Sequence, residues 1–236
     1  MRRLIVAIQF LTRLPTPRIA SDAEDFAASI RWFPAVGALI GGFVAGAAWL
    51  GQHIDAWTGA LAALVAWVAV TGALHLDGLG DVADGAGAAH GDRDRMRAAM
   101  ADPHVGSFGV VAIGLQLIAK LVVLHAVLAI GPSWLLVPIP FVARIGPLVW
   151  ARYLSPLHAG LGARFAHAVR RRDIAGWGAV LIGAAVASPA LLVALLLVPA
   201  WGWWVRRTLG GISGDGHGAG IELVETGLLL ACACLG

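Results

Sequence analysis

Long apolar runs separated by short polar connections make up most of this chain. A helix that crosses a lipid bilayer needs about 20 consecutive apolar residues, so each run except the fifth corresponds to roughly one crossing. The fifth run is too long for one ordinary span, and Pro189 near its middle predicts a hairpin turn or a kink. The pattern predicts an all-α, polytopic integral membrane protein. The runs cover residues 33–50, 56–76, 105–130, 133–151, 174–205 and 223–235.

The arginines favour seven crossings over six. Loops 51–55 and 131–132 contain no Lys or Arg, whereas the connections on either side of them carry several. Because Lys and Arg concentrate in cytoplasmic loops, Arg206 and Arg207 join the cytoplasmic arginines only if residues 174–205 cross twice. We therefore predict about seven transmembrane helices, or six if that run crosses once.

The composition agrees with a membrane protein. Of the 236 residues, 59% are hydrophobic and only 13% are charged, and the mean hydropathy is +0.80. Soluble domains have about 25% charged residues, and disordered chains are far less apolar. Residues 1–236 are therefore predicted to form one integral membrane domain. The net charge of +3 comes without a basic stripe, so no nucleic-acid partner is expected.

Small residues predict where helices pack closely. Gly37 and Gly41 form one GxxxG pair, and Gly42 and Gly46 form a second. Such pairs let two helix backbones approach each other in a membrane. We expect the helix that carries them to pack tightly against a neighbour.

An acidic cluster follows the second apolar run. If the second helix continues through it, Asp77, Asp81 and Asp84 lie on one face, at positions i, i+4 and i+7. Three like charges repel unless a cation holds them, and carboxylates are ligands that suit Mg²⁺ bound to substrate phosphates. Gly78 and Gly85 would let a bulky ligand approach the backbone. The spacing therefore predicts a metal site.

Other polar residues surround this cluster. His75 and His90 flank it and are candidates for a proton carrier or a phosphate contact. Arg93 could bind either a substrate phosphate or a lipid head group. Asp102 precedes the third run, where it could cap a helix, close the metal site or act as a base.

A second glycine-rich acidic segment occupies residues 209–225. With seven crossings it lies on the same side of the membrane as the first cluster. Asp215 and His217 offer a ligand and a hydrogen-bond donor there, in a loop where Gly211 and Gly214 could help to cradle phosphates.

Lys120 and Arg144 lie inside predicted spans, where an unpaired charge is costly. We expect each to pair with the acidic cluster or with a substrate phosphate. Glu222 and Glu225, at the start of the last predicted helix, are further candidates for ligands.

Five strings in these regions resemble the bacterial cobalamin synthases, the adenosylcobinamide-GDP ribazoletransferases, and the resemblance covers essentially the whole chain. Gly80 stands where that family usually has Ala. The segment 81–88 is also similar to the opening DxxDGxxA motif of the CDP-alcohol phosphotransferases, which supports a metal. The strings are FLTRLPTP (10–17), RWFPAVGALIG (31–41), HLDGLGDVADG (75–85), ADPHVGSFGVV (101–111) and LGGISGDGHGA (209–219).

The resemblance implies transfer of the adenosylcobinamide-phosphoryl group from adenosylcobinamide-GDP to α-ribazole or its 5'-phosphate, with release of GMP and with Mg²⁺ as the cofactor. The expected location is among the lipids of the cell inner membrane, with the active site on the cytoplasmic face as the arginine distribution predicts, and a homo-oligomer is allowed. Asp77, Asp81 and Asp84 are then expected to bind the metal, and Asp102 and Asp215 are the candidates for general base or further ligand. The expected substrate-binding residues are His75, Gly78, Gly85, Arg93, Lys120, Arg144, Gly211, Gly214 and His217.

A cation- or proton-coupled transporter is the alternative. In a transporter, Lys120, Arg144 and the carboxylates would form an ion path. Such a path needs charges distributed through the depth of the membrane, whereas most of the charges in this chain collect at one side.

Overall fold

The computed structural model describes residues 1–89, 91–157 and 161–235. These residues form thirteen α-helices and short 3₁₀ turns, and no β-strand occurs among them. The all-α prediction is confirmed. The helices are α1 (Arg2–Leu11), α2 (Ala23–Ser29), α3 (Phe33–Gln52), α4 (Ala56–Thr71), α5 (Leu74–Ala89), α6 (Arg93–Met100), α7 (Ser107–Ile130), α8 (Pro138–Ala143), α9 (Gly146–Tyr153), α10 (Leu161–Ala168), α11 (Arg171–Ala185), α12 (Ala194–Thr208) and α13 (Gly214–Leu235).

Five helical stretches in the described part of the chain are long and apolar enough to cross a membrane. A sixth is added if α4 and α5, which are bent by 86° relative to each other, count as one span. The predicted class of multi-pass membrane protein is therefore confirmed, with a count close to the expected one. The five stretches are Ala23–Gln52, Ser107–Ile130, Ser133–Tyr153, Pro189–Thr208 and Gly214–Leu235.

The long fifth run folds as a helical hairpin. It divides into α11 and α12 around a turn at residues 186–188. Near the start of α11, Asp173 forms an ion pair with Arg31 at 3.4 Å, whereas Ser188 in the turn contacts Cys232 near the far end of α13. The 15 residues of α11 rise roughly 22 Å, which is less than the roughly 30 Å of a bilayer core. The seventh predicted crossing would require α11, which is not among the stretches long enough to cross a membrane.

The second predicted helix is broken, contrary to expectation. Gly72 and Ala73 both adopt left-handed backbone conformations, with φ of 62° and 59°. The Gly72 N–H caps α4 by donating to the Val68 carbonyl, and α5 then leaves at a steep angle. The acidic cluster thus lies on a separate helix and not on the continuation of the second span.

The first GxxxG pair packs as predicted and the second does not. A Cβ on Gly37 would overlap the backbone of Pro140, and one on Gly41 would overlap the backbone of Val137, so α3 and α8 are in close contact. Gly42 and Gly46 have nothing within 4 Å of the added Cβ, so they mark an open face of α3.

The N-terminal helices are joined to the rest of the molecule by an aromatic cluster. Phe10 of α1 stacks on Phe33 of α3, with 5.9 Å between ring centroids. Phe165 of α10 meets Phe33 edge-on at 5.7 Å and stacks on Phe26 of α2 at 5.4 Å. Aromatic pairs at these separations are stabilising beyond their burial. This cluster lies next to the place where α5 meets α13.

Candidate functional site

The close crossing of α5 and α13 builds the site. A Cβ on Gly78 would lie 2.8 Å from the Asp215 Cα, and one on Gly218 would lie 3.3 Å from the His75 Cα. At Gly78 only glycine permits this approach, because an added Cβ would overlap the Asp215 backbone. The two glycine-rich segments that the sequence singled out are therefore brought together, although they are far apart in the chain.

A cavity of about 150 Å³ lies beside this crossing. Its buried walls include Phe33 and Phe165, whereas Asp77 and Gly214 at its edge are exposed. The aromatic part is thus inside the protein and the acidic part is near the surface. Six of the predicted site residues line the cavity: His75, Asp77, Gly78, Gly214, Asp215 and His217.

The two histidines of the cavity have unused hydrogen-bonding capacity. His75 is 3% exposed and His217 is 8% exposed. Within the described ranges, neither ring has a hydrogen-bond partner for either nitrogen. Buried polar groups are nearly always paired, so each imidazole is available to a ligand or to a water molecule.

Carboxylates dominate the electrostatics of α5. The charges of Asp77, Asp84 and Asp215 all act on Asp81 and repel its negative charge. No Lys or Arg of the described chain forms an ion pair with Asp77, Asp81 or Asp84. Among those same residues, no group of three or more His, Cys, Asp or Glu side chains is close enough to hold a metal ion. The site is anionic, but it is not a preassembled metal cage.

Asp84 has partners that its prediction as a metal ligand did not anticipate. Its carboxylate accepts hydrogen bonds from the backbone N–H groups of Gly106, at 2.7 Å, and Gly109, at 2.8 Å. These groups belong to the first turn of α7, where unpaired N–H groups and the helix dipole favour an anion. A Cβ on either glycine would overlap the Asp84 carboxylate. The structure therefore gives Asp84 the role of anchoring α7.

Asp102 lies in an exposed loop and makes only local contacts in the described structure. Its carboxylate accepts from the backbone N–H of His104 at 2.9 Å and contacts the His104 Nδ1 at 2.8 Å. The backbone N–H of His104 lowers the pKa of the Asp102 carboxyl below its usual value. No described hydrogen bond or ion pair joins Asp102 to α5.

Three of the glycines predicted to approach substrate instead contact protein. Gly78 packs on the Asp215 backbone, Gly85 lies under Met96 and Met100 of α6, and Gly211 packs on the Ser155 backbone. Each is required for packing, because an added Cβ would collide with its neighbour.

Gly214 and Arg93 remain accessible. An added Cβ on Gly214 meets nothing within 4 Å. Arg93 is exposed and donates to the Arg207 carbonyl at 2.8 Å, which ties α6 to the end of α12. His90, the other predicted flanking histidine, lies outside the described residues.

Lys120 and Arg144 pair with glutamates of α13, sharing Glu225, and not with the acidic cluster, which corrects the expectation from sequence. Lys120 Nζ lies 2.7 Å from Glu222 and 2.8 Å from Glu225. Arg144 Nη1 lies 2.7 Å from the other Glu225 oxygen. All four side chains are at most 5% exposed. Buried charges are tolerated when they are paired in this way, so these residues join helices in the protein interior.

Sequence reasoning missed the aromatic wall of the cavity and one member of the buried network. Phe10 and Phe33 belong to strings 10–17 and 31–41, which were noted only for their resemblance to a family. Gln116, which donates to Glu222 and Thr226, lies one helical turn before Lys120. A polar residue on the same face as a buried charge was the signal that could have identified it.

These features define a multi-pass helical membrane protein whose acidic, histidine-containing site lies where two glycine-rich helices cross. The chain belongs to the Cobalamin-5-phosphate synthase family, whose sequence model matches residues 3–233.

Three similar proteins are each named Adenosylcobinamide-GDP ribazoletransferase. The relative from Novosphingobium aromaticivorans is 62% identical and covers 100% of this chain and 98% of its own. The relative from Thiobacillus denitrificans is 48% identical over 98% of this chain and 94% of its own. The Pseudomonas aeruginosa relative is 38% identical over 99% of this chain and 98% of its own. No solved structure matches the chain.

Proposed function

We propose that this protein is an adenosylcobinamide-GDP ribazoletransferase. It transfers the adenosylcobinamide-phosphoryl group to α-ribazole or its 5'-phosphate and releases GMP. The observation that carries the proposal is the convergence of α5 and α13, which brings Asp77, Asp215, His75 and His217 around one cavity. Family membership over residues 3–233 supports the same activity.

The reaction needs one base and compensation for the charge of the diphosphate. A ribose hydroxyl of α-ribazole attacks the phosphorus that carries the cobinamide, and the bond from this phosphorus to the GMP oxygen breaks. We assign the base that accepts the hydroxyl proton to Asp215, and its position in the lining of the cavity supports this choice. Asp102 is less suited, because its lowered pKa makes it a weaker base and its partner is His104. Catalysis is then mostly positioning and charge stabilisation.

We also propose that Mg²⁺ is the cofactor. Mg²⁺ keeps several waters and is commonly bound through one or two carboxylates together with substrate phosphates, so it does not need a preassembled group of three ligands. Asp77 and Asp81 suit this role, since no described Lys or Arg neutralises them. When bound, the ion neutralises the diphosphate and the departing GMP. Asp84 instead holds the start of α7 against α5 by accepting the Gly106 N–H.

The transporter alternative has no support. The buried charges that would form an ion path are two cations, Lys120 and Arg144, and two anions, Glu222 and Glu225, bound to one another. The relatives carry a transferase name.

We place the protein in the cell inner membrane with the site on the cytoplasmic face. Arg93 and Arg97 lie at the same end of the molecule as the site, where they bind the carbonyls of Arg207 and Leu209. The positive-inside rule assigns such an end to the cytoplasm.

The function is tested with purified protein in detergent or nanodiscs, incubated with adenosylcobinamide-GDP, α-ribazole and Mg²⁺. We expect GMP and the corrinoid product to appear in equal amounts. An Asp215→Asn variant serves as the negative control. GMP release without the corrinoid product would indicate hydrolysis and contradict the transferase assignment.

A further inference from the structure

We propose that the cavity between α5, α13 and the aromatic cluster binds the base of the acceptor nucleoside, α-ribazole, with His217 donating a hydrogen bond to its free ring nitrogen. This assignment rests on the proposed function and specifies which part of which substrate enters the cavity.

The size of the cavity selects a small aromatic ring system. Its volume is about 150 Å³, and an apolar cavity of about 150 Å³ is large enough for a benzene ring. The benzimidazole base of α-ribazole is a flat bicycle, larger than benzene, that would fill most of this volume. The corrin macrocycle of the donor is many times larger and must bind elsewhere.

The walls of the cavity suit an apolar aromatic ring. Phe10, Phe33 and Phe165 line it, and their rings already contact one another at centroid distances of 5.7 to 6.2 Å. A planar base can join such a cluster by stacking or edge-to-face contact. Guanine, the base of the donor, carries several N–H donors and carbonyl acceptors that Phe side chains would leave unpaired, at a high desolvation cost.

His217 supplies the single polar contact that the base requires. A glycosylated benzimidazole has one acceptor nitrogen and no N–H donor, and a neutral imidazole has one N–H to give. His217 is buried, and neither of its nitrogens has a partner among the described residues. The charges of Arg144, Glu225 and Lys120 act on His75, so that ring lies in the field of the buried ion pairs. The described ring neighbour of His217 is instead Trp150, at 6.0 Å. We therefore assign the contact with the base to His217.

This placement also orients the reacting group. With the base among the Phe rings, the ribose points to the exposed edge of the cavity, where Asp77 and Asp215 lie. The nucleophilic hydroxyl then lies next to the proposed base, Asp215, and close to the acidic face of α5.

The test compares two variants and two nucleosides. His217→Phe removes the donor while keeping a ring, and His125→Phe makes the same change at the far end of α7, where His125 stacks on Trp57. The KM values for both substrates, and the Kd of α-ribazole without donor substrate, are measured for each protein. The second nucleoside is an indole analogue, in which a C–H group replaces the acceptor nitrogen of the base.

We expect His217→Phe to raise the Kd and KM for α-ribazole about tenfold, with the KM for adenosylcobinamide-GDP unchanged. The wild-type protein should bind the indole analogue about tenfold more weakly than α-ribazole, and His217→Phe should bind the two equally. The variant should unfold at no lower temperature than wild type, because it loses no described hydrogen bond. His125→Phe should resemble wild type.

Other results separate the two proposals. If wild type is active but does not distinguish the indole analogue, or if His217→Phe leaves the KM for α-ribazole unchanged, the cavity assignment is wrong and the function stands. A higher KM for adenosylcobinamide-GDP alone would assign the cavity to the donor and overturn the proposal. If wild type transfers nothing to α-ribazole, the proposed function itself fails.

Discussion

Asp81 and Asp84 lie one helical turn apart on α5, yet their surroundings differ. Asp84 is held by two backbone N–H groups of α7. Asp81 is half-buried, forms no ion pair with a described Lys or Arg, and is repelled by three other carboxylates. Charged groups with such perturbed surroundings cluster at functional sites. We therefore propose a functional role for Asp81 and an anchoring role for Asp84.

Asp81→Asn should reduce turnover without destabilising the protein. The change removes a negative charge that would contact Mg²⁺, and one such charged contact is commonly worth about 1.5 to 3 kcal/mol, or roughly ten- to a hundredfold in rate. It also removes repulsion, so the melting temperature should stay the same or rise. Turnover against Mg²⁺ concentration and thermal unfolding are measured on one preparation. Full activity at low Mg²⁺ would exclude Asp81 from the metal site.

Asp84→Asn should reduce stability first. The neutral amide loses the charge-assisted bonds to the N–H groups of Gly106 and Gly109, and its NH₂ group would face an N–H donor. We expect the free energy of unfolding to fall by about 1.5 to 3 kcal/mol, measured by denaturation in detergent. Asp81→Asn is the matched control. An unchanged stability together with a shifted Mg²⁺ midpoint would show that Asp84 is a metal ligand, as its spacing originally indicated.

At the scale of helices, the buried charges connect α13 to two neighbours. Lys120 links α7 to Glu222 and Glu225, and Arg144, between α8 and α9, links that region to Glu225. Lys120 Nζ also lies 4.5 Å from the centroid of the Trp67 ring on α4, a distance at which a cation is attracted to the aromatic face. The network therefore joins α13, which carries Asp215 and His217, to α7 and to the region between α8 and α9, and Lys120 adds a contact with α4.

Lys120→Met should destabilise the protein strongly, because it leaves Glu222 without its cation partner and Glu225 with Arg144 alone. Removal of one partner from a buried ion pair typically costs about 3 to 5 kcal/mol. Adding Glu222→Gln should recover part of this loss, since Arg144 and Glu225 then balance in charge. Thermal unfolding of the single and double variants measures both effects. A stable Lys120→Met protein with a raised KM for adenosylcobinamide-GDP would instead show that Lys120 contacts substrate.

Local patterns predicted part of this arrangement. The apolar runs predicted the helices, and the i, i+4, i+7 spacing placed Asp77, Asp81 and Asp84 on one helix, because both follow from periodicity. The break at Gly72 was not predicted, since a single glycine in an apolar run carries little signal and Ala73 adopts a left-handed conformation that its residue type disfavours. The partners of Lys120 were not predicted either, because they depend on tertiary packing.

At the scale of the whole molecule, the candidate site and the arginine contacts lie at one end, and the loops without Lys or Arg lie at the other. The site, the start of α13 and the Arg93–Arg207 contact lie at one end. At the other end, Gln52 of α3 donates to the Leu128 carbonyl near the end of α7, next to loops that contain no Lys or Arg. Charge asymmetry of this kind sets the orientation of a protein in its membrane.

This asymmetry predicts which residues face the cytoplasm. In a background with Cys232 and Cys234 replaced, Ser107→Cys and Gly214→Cys should react with a membrane-impermeant maleimide from the cytoplasmic side, since both positions are exposed at the site end. His53→Cys, in the exposed connection between α3 and α4, should react only from the opposite side. Labelling of inverted and right-side-out vesicles makes the comparison, and detergent-solubilised protein shows that each cysteine is reactive. Labelling of Ser107→Cys and Gly214→Cys from opposite sides would contradict the hairpin of α11 and α12 as a double crossing, whereas joint labelling from the outer side would reverse the proposed orientation.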